Sequence, residues 1–271
     1  MSVLFAAAIL GVVVVVIFRR LRARRDRQDA GPDPMHVPTL DVVTIGMQGC
    51  GKTILLAGTY RAMQTPSNRD FYLRAPYDQV IELGSWYHDV ATPDSGWPAG
   101  TRKSELREFR FDVMTRTASA PETVLRLNYL EYAGELLTER QEPGSTAQGR
   151  LFDAVDGADA LIGLIDGLRV RQAYHGDGRG AALLQRSLDT LVSTMFASTS
   201  PITFVVTKWD LLDDLHPDQD VRLRLVRDTL MESPGFRDLV REHSARRVIR
   251  ALHHRIGVLE ALFPSSVLGD R

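Results

Sequence analysis

The sequence LDVVTIGMQGCGKTILLAGTYRAM, residues 40–63, contains an apolar run, a glycine-rich turn and a helical pattern in direct succession. Residues 40–45 are rich in β-branched side chains and predict a buried strand. Residues 46–53 fit the pattern G-x-x-x-x-G-K-[ST], and the residues after them have helical spacing. A chance glycine-rich turn would need neither a strand before it nor a helix after it. The order therefore predicts a loop that binds phosphate groups.

Each residue type in this loop has a chemical reason. Glycines let backbone N–H groups curl around a β-phosphate, and the N-terminus of the following helix adds positive potential. Lys52 would reach the β- and γ-phosphate oxygens, and the Thr53 hydroxyl would take one position around Mg²⁺. We interpret Cys50 as a small residue that suits the turn rather than as a redox switch. The nucleotide-binding residues expected here are Gly46, Gln48, Gly49, Cys50, Gly51, Lys52 and Thr53.

A second motif lies in PITFVVTKWDLLDDL, residues 201–215, where a β-branched run ends in the tetrapeptide TKWD. This ending resembles the [NT]-K-x-D guanine-specificity motif of the translation-factor-related (Ras-like) GTPases. The resemblance implies that Asp210 accepts hydrogen bonds from N1–H and the 2-amino group of guanine, which adenine does not offer together. It also implies that Lys208 packs along the base and bridges back to the glycine-rich loop. In one alternative to a guanine-binding motif, TKWD is an ordinary strand end capped by Asp210. In another, its resemblance is accidental and the protein is a P-loop ATPase. The guanine-binding residues implied are Thr207, Lys208 and Asp210.

The rest of the chain alternates strands and helices as a doubly wound sheet requires. Residues 104–113 and 122–132 predict adjacent strands, which form an antiparallel hairpin in the Ras-like fold, and residues 159–166 predict a buried strand. The predicted fold class is α/β: a three-layer P-loop NTPase sandwich with a mostly parallel sheet and one antiparallel edge strand, preceded by a single transmembrane helix. The resemblance covers residues 40–212.

The segment YLEYAGELL, residues 129–137, falls where the family has Asp-x-x-Gly. There the acid holds a Mg²⁺ water and the glycine amide binds the γ-phosphate. Glu131 keeps the charge with one more methylene, so we expect Mg²⁺ binding through it and a γ-phosphate contact at Gly134. Glu135 stands where a glutamine usually positions the attacking water. A carboxylate there can orient water but repels the γ-phosphate, so slow hydrolysis is expected. In the alternative, Glu131 is an ordinary strand residue and Gly134 starts a helix.

The other switch should supply a threonine that completes the Mg²⁺ coordination. Thr101 has that place, with Thr92 as the competitor. The intervening segment, residues 65–99, is unusually long and contains one predicted helix. Its aromatic residues form either a partner surface or ordinary packing; they are Tyr77, Trp86, Tyr87 and Trp97.

Two further assignments follow from the family pattern. Arg102 is either an internal arginine finger or, as we favour, a solvated charge. The loop that contacts guanine O6 is assigned to Ser265 and Ser266 in LFPSSVLG, and the rival is HSARR at residues 243–247.

The N-terminus predicts a membrane anchor. Residues 2–18 form an uncharged apolar stretch, which at about 1.5 Å per residue is at the short end of what spans a bilayer. An arginine-rich run follows from residue 19, an order opposite to that of a cleavable signal peptide. The positive-inside rule then places the rest of the chain in the cytoplasm. The expected organisation is an anchor at 2–18, a basic segment and linker at 19–38, and a GTPase domain at 39–271.

The full chain of 271 residues has a net charge of −1 and one cysteine, so neither a global attraction to nucleic acid nor an internal disulfide framework is expected. The resemblance extends to membrane-linked bacterial double-GTPase domains and to the β subunits of the signal recognition particle receptor. It implies a GTP/GDP- and Mg²⁺-binding switch that is anchored in a membrane and stimulated by a protein partner. The alternative is a non-hydrolysing, GTP-dependent membrane scaffold.

Overall fold

Six strands and seven helices form the part of the chain that the computed structural model describes, which is residues 37–64, 71–92, 106–116, 121–137 and 146–245. The strands are β1 (Thr39–Ile45), β2 (Phe71–Arg74), β3 (Leu106–Arg116), β4 (Pro121–Tyr132), β5 (Ala160–Asp166) and β6 (Ile202–Thr207). The helices are α1 (Lys52–Met63), α2 (Tyr77–Ala91), α3 (Thr146–Gly157), α4 (Gly167–Tyr174), α5 (Gly178–Met195), α6 (Gln219–Met231) and α7 (Pro234–Ala245). Short 3-10 helices occupy Gly134–Leu137 and Trp209–Leu212.

The strands form one mostly parallel sheet in the order β2-β3-β4-β1-β5-β6. β5 and β6 pair in parallel with Asp166 opposite Thr207, so both strands end at the same edge. β3 and β4 are neighbours joined through residues 117–120, and so short a connection permits only an antiparallel pair. The predicted α/β class is confirmed. The strands expected at 104–113, 122–132 and 159–166 are present with ends shifted by a few residues, and the β-branched run before TKWD forms β6.

The edge strand β2 was not predicted. It pairs antiparallel with β3, from Phe71 opposite Thr115 to Arg74 opposite Asp112. The segment at 65–99 therefore contributes a strand to the sheet as well as the expected helix. The sequence of β2, FYLR, does not alternate apolar and polar residues, so the pattern by which a half-buried strand is recognised is missing.

The described residues belong to two compact units. One contains 37–42, 53–64, 71–92, 107–116 and 121–131. The other contains 43–52, residue 106, 132–137 and 146–245.

In the first unit, α2 packs on β3 through aromatic and polar contacts. The Trp86 ring lies 5.6 Å from that of Phe109, which is packing rather than a free aromatic surface. Beyond the end of β2, the side-chain amide of Gln79 continues the pairing of β3: the Arg110 N–H donates to Gln79 Oε1 at 2.9 Å, and Gln79 Nε2 donates to the Glu108 carbonyl at 3.3 Å. Tyr77, by contrast, is 80% exposed.

In the second unit, β5 is buried over nearly its whole length, which is typical of a strand inside a parallel sheet. α5 buries an apolar stripe at helical spacing against it, with Leu184, Leu188, Leu191 and Met195 all inaccessible. The Phe204 ring meets that of Phe236 at 4.8 Å. This core holds the ends of β5 and β6 in place.

Within the described ranges no helix is both long and apolar enough to cross a bilayer. The predicted anchor at 2–18 and the basic segment that follows lie outside those ranges.

Candidate functional site

The glycine-rich loop, residues 46–51, connects β1 to α1 and curls tightly. Gly49 and Gly51 have φ values of 73° and 94°, which side chains other than glycine rarely adopt. At Gly46 the constraint is space, because an added Cβ would lie 2.5 Å from Cys50 Sγ and 3.0 Å from Leu164 Cβ. All three glycines of the predicted motif are therefore required by backbone geometry or by packing.

Lys52 is the first residue of α1 and folds back over this loop. Its ammonium group donates to the carbonyl oxygens of Gly46 at 2.8 Å and Met47 at 3.2 Å. The side chain is buried, with 7% of the residue exposed. A buried ammonium group needs several hydrogen bonds to offset its desolvation, and the loop supplies two of them. The Lys52 side chain is thus held against the carbonyls of the first two loop residues rather than extended into solvent.

Tyr132, the last residue of β4, completes this arrangement and was not predicted to take part in it. Its hydroxyl accepts a hydrogen bond from the Gly46 N–H at 3.1 Å. Its ring centroid lies 5.1 Å from Lys52 Nζ, within the range of a cation–π contact. The side chain is wholly inaccessible.

Gly134 lies against the same loop. A Cβ on this residue would come within 2.3 Å of the Gln48 backbone nitrogen and 2.6 Å of the Met47 carbonyl carbon. Only a glycine permits this approach of two backbones. Gly134 also begins a 3-10 helix, in which Glu135 is partly exposed. Gly134 therefore lies close to the glycine-rich loop and also starts a helix, as the alternative interpretation of this segment predicted.

The two residues expected to hold a metal are in direct contact in the first unit. The Thr53 hydroxyl donates to the Glu131 carboxylate. Glu131 is 1% exposed, although it is a carboxylate. A hydroxyl and a carboxylate are the hard oxygen ligands that Mg²⁺ prefers, so the donor pair fits that ion.

The TKWD motif begins at the end of β6 and contacts the glycine-rich loop. The Thr207 hydroxyl donates to the Cys50 carbonyl at 2.7 Å and lies 3.3 Å from the Ile165 carbonyl. Because one hydroxyl has one hydrogen, the shorter contact to Cys50 is the main bond. A Cβ on Gly51 would meet the Thr207 side chain at 3.7 Å. Residues 157 positions apart in the chain are therefore joined at one point.

Lys208 has an unusual backbone and a partner that was not predicted. Its φ of 51° and ψ of 42° lie in the left-handed region. It is the only described residue other than glycine with a positive φ. Its ammonium group pairs with Asp166 Oδ2 at 2.8 Å, so the direct link between the motif and the loop comes from Thr207. Asp166 Oδ1 also accepts from the Leu168 N–H at 3.0 Å and so caps α4.

Asp210 lies in the 3-10 helix after β6, and its side chain is exposed. With the residues that the structure describes it forms no side-chain hydrogen bond or ion pair. Arg222 of α6 fixes the segment that follows: it bonds to the His216 carbonyl at 3.0 Å, pairs with Asp213 and lies 5.9 Å from the Trp209 ring centre. This anchoring arginine was not predicted either.

Cys50 is 1% exposed, and burial raises the pKa of its thiol. The positive charges of Lys52 and Lys208 act in the opposite direction but do not reverse the shift. A buried thiol with a raised pKa is unreactive, in line with its interpretation as a small residue in the turn.

Several predicted residues fall outside the described ranges. They are Thr101, Arg102, Trp97, Ser265 and Ser266. Thr92, the competitor of Thr101, caps the end of α2, where its backbone N–H donates to the His88 carbonyl at 3.0 Å. Of the rival segment 243–247, residues 243–245 belong to α7.

Comparison of the chain with protein-family models and with curated protein sequences finds no match in either set.

Proposed function

We propose that this protein is a membrane-anchored switch that binds GTP and GDP with Mg²⁺ and hydrolyses GTP slowly, stimulated by a protein partner. The observation that carries the proposal is the 2.7 Å hydrogen bond from the Thr207 hydroxyl to the Cys50 carbonyl. It joins the TKWD motif to the glycine-rich loop, so that the same part of the molecule offers donors for phosphates and an acceptor for a base.

The phosphate end of the site is supported by Lys52 and by the loop backbone. The Lys52 ammonium group bonds two carbonyls of the glycine-rich loop, and this supports a role in binding a β- or γ-phosphate. Gly134 is in backbone contact with residues 47 and 48. A γ-phosphate that the loop binds would therefore be close to the Gly134 N–H, which is the basis of a switch.

The base end is supported by Asp210 and its surroundings. An exposed carboxylate that bonds to no other side chain in the described ranges is available to a ligand, and guanine offers two N–H donors to one carboxylate. Asp166 holds the Lys208 ammonium group at 2.8 Å. The aliphatic stem of Lys208 would then pack along the base.

Slow hydrolysis is proposed from Glu135. This carboxylate directly follows Gly134, so it would lie near the γ-phosphate, where like charges repel. A partner that supplies a positive charge would relieve the repulsion, as arginine fingers do. A non-hydrolysing scaffold is the alternative, and a single-turnover assay separates the two. Phosphate release over minutes to hours supports the switch, whereas GTP that stays bound and intact supports the scaffold.

The deciding experiment identifies the nucleotide. Full-length protein is purified in detergent without added nucleotide, denatured, and its released ligand identified by mass spectrometry. We expect GDP or GTP. In a competition assay GTP should displace labelled GDP, and ATP should not. Equal displacement by ATP would overturn the guanine assignment and favour the ATPase reading.

Two substitutions locate the site. Lys52→Ala should abolish tight binding of any nucleotide. Asp210→Asn should make the binding free energy of guanine nucleotides less favourable by about 2–4 kcal/mol, because an acceptor for two donors is lost. The same substitution should improve the binding of xanthine nucleotides. Asp220→Asn makes the same change of charge on another exposed residue, ten positions further along the chain, and should leave both affinities unchanged. Retained GTP affinity in both Lys52→Ala and Asp210→Asn would defeat the assignment.

A further inference from the structure

We propose that Tyr132 is a positioning residue that holds the glycine-rich loop and Lys52 in the geometry that receives a β-phosphate. The inference rests on the proposed nucleotide site, but it assigns a role to a residue outside the glycine-rich loop and outside TKWD. Tyr132 lies between Glu131 and Gly134, at neither of the positions that the Asp-x-x-Gly comparison assigns.

The hydroxyl acts on the loop backbone. The Gly46 N–H is buried at the point where β1 turns into the loop, and it donates to the Tyr132 hydroxyl at 3.1 Å. A buried N–H needs such an acceptor. Cys50 and Leu164 pack closely beside Gly46, since an added Cβ there would lie 2.5 and 3.0 Å from their side chains. The hydroxyl therefore fixes the position of the first residue of the loop. The orientation of the backbone N–H groups that follow depends on that position.

The ring acts on Lys52. Its centroid lies 5.1 Å from the lysine ammonium group, which also donates to the carbonyls of Gly46 and Met47. An aromatic face stabilises an ammonium group without giving it a fixed counter-charge. A carboxylate in the same place would compete with phosphate for the lysine, whereas a ring holds the cation and leaves its charge available to an anion.

The two contributions can be separated by substitution. Tyr132→Phe keeps the ring and removes the acceptor for Gly46, and Tyr132→Leu removes both. Because the affected groups would contact the β-phosphate in the proposed site, the loss of affinity should fall on diphosphates and spare monophosphates. We expect Tyr132→Phe to lower the affinity for GDP about tenfold and the affinity for GMP less than about twofold. Tyr132→Leu should lower the affinity for GDP about a hundredfold.

The experiment measures the GDP and GMP affinities of full-length wild-type and variant protein by competition against fluorescent GDP, with thermal unfolding as the check on folding. Tyr129→Phe is the matched control, since it removes another buried tyrosine hydroxyl from the same strand. Its ratio of GDP to GMP affinity should equal that of the wild type. If Tyr132→Leu does not fold, the two phenylalanine variants still decide the question.

The outcomes distinguish this inference from the proposed function. A lower ratio of GDP to GMP affinity in Tyr132→Phe alone supports the role. An unchanged ratio overturns it, whether both affinities fall together or neither changes. If the wild type prefers adenine nucleotides, the guanine proposal fails, and the same comparison with ADP and AMP still tests Tyr132. If the wild type binds no nucleotide, both proposals fall.

Discussion

The Thr53 hydroxyl donates a hydrogen bond directly to the Glu131 carboxylate, which is buried to 1% exposure. Thr53 directly follows Lys52 at the start of α1, and Glu131 is the next-to-last residue of β4. Under the proposed function these two oxygens would bind one Mg²⁺ ion, and this proposal has a measurable consequence.

If Glu131 binds the metal as proposed, Glu131→Gln should lower the Mg²⁺ affinity of the nucleotide-bound protein about tenfold or more, because a neutral amide replaces a buried anion at the proposed metal site. Titration of the GDP complex with Mn²⁺, followed by electron paramagnetic resonance, measures this affinity. Glu135→Gln is the control: the side chain is partly exposed, and its loss should change the hydrolysis rate and leave metal affinity unchanged. Equal metal affinity in Glu131→Gln and wild type would remove Glu131 from the metal site.

Gly134→Ala should prevent the close approach to the glycine-rich loop, since its Cβ would lie 2.3 Å from the Gln48 nitrogen. The backbone must shift, and we expect a loss of about 2 kcal/mol or more in the free energy of unfolding and loss of any preference for GTP over GDP. Chemical denaturation and nucleotide competition measure the two effects. Gly149→Ala, in the open space around α3, should instead stabilise the protein by about 0.5–1 kcal/mol. A harmless Gly134→Ala would contradict the contact.

Arg222→Met should loosen the segment after β6. The buried guanidinium bonds to the His216 carbonyl and to Asp213 and lies over Trp209. Removing it should cost about 1–3 kcal/mol of unfolding free energy and reduce the discrimination between GTP and ATP, because Asp210 belongs to that segment. Arg224→Met, an exposed position on the same helix, serves as the reference and should change neither quantity. Loss of stability with discrimination intact would show that Arg222 only supports the fold.

The Cys50 thiol should react slowly with Ellman's reagent in the native protein. Burial both shields the sulfur and raises its pKa, so the thiolate fraction at pH 8 is below that of an ordinary thiol. The reaction should become fast in guanidinium chloride, and the single cysteine makes the signal specific. The raised pKa of Cys50 also makes the stability of the protein depend on pH. The unfolded thiol loses its proton at a lower pH than the folded one, so this contribution to stability is complete below pH 9 and declines above it. Rapid native labelling at pH 8 would show that the loop opens.

The sequence by itself determined the elements whose signal is local. The strand, turn and helix at 40–63, the β-branched run before TKWD and the helix at 77–91 are all present. Periodicity and turn chemistry are contained within a few consecutive residues, and they survive in the fold because neighbouring elements favour the same conformations. The Gly49 and Gly51 conformations follow from the same local signal.

Only the tertiary structure decided which distant groups meet. Tyr132 on Gly46, Lys208 on Asp166 and Thr207 on Cys50 join residues 86, 42 and 157 positions apart. No local pattern specifies such pairs, because they depend on the order of strands in the sheet. The short strand β2 was missed for the same reason, since its four residues become a strand through pairing with β3. The sequence supplied the chemical groups, and the folded chain decided which of them act together.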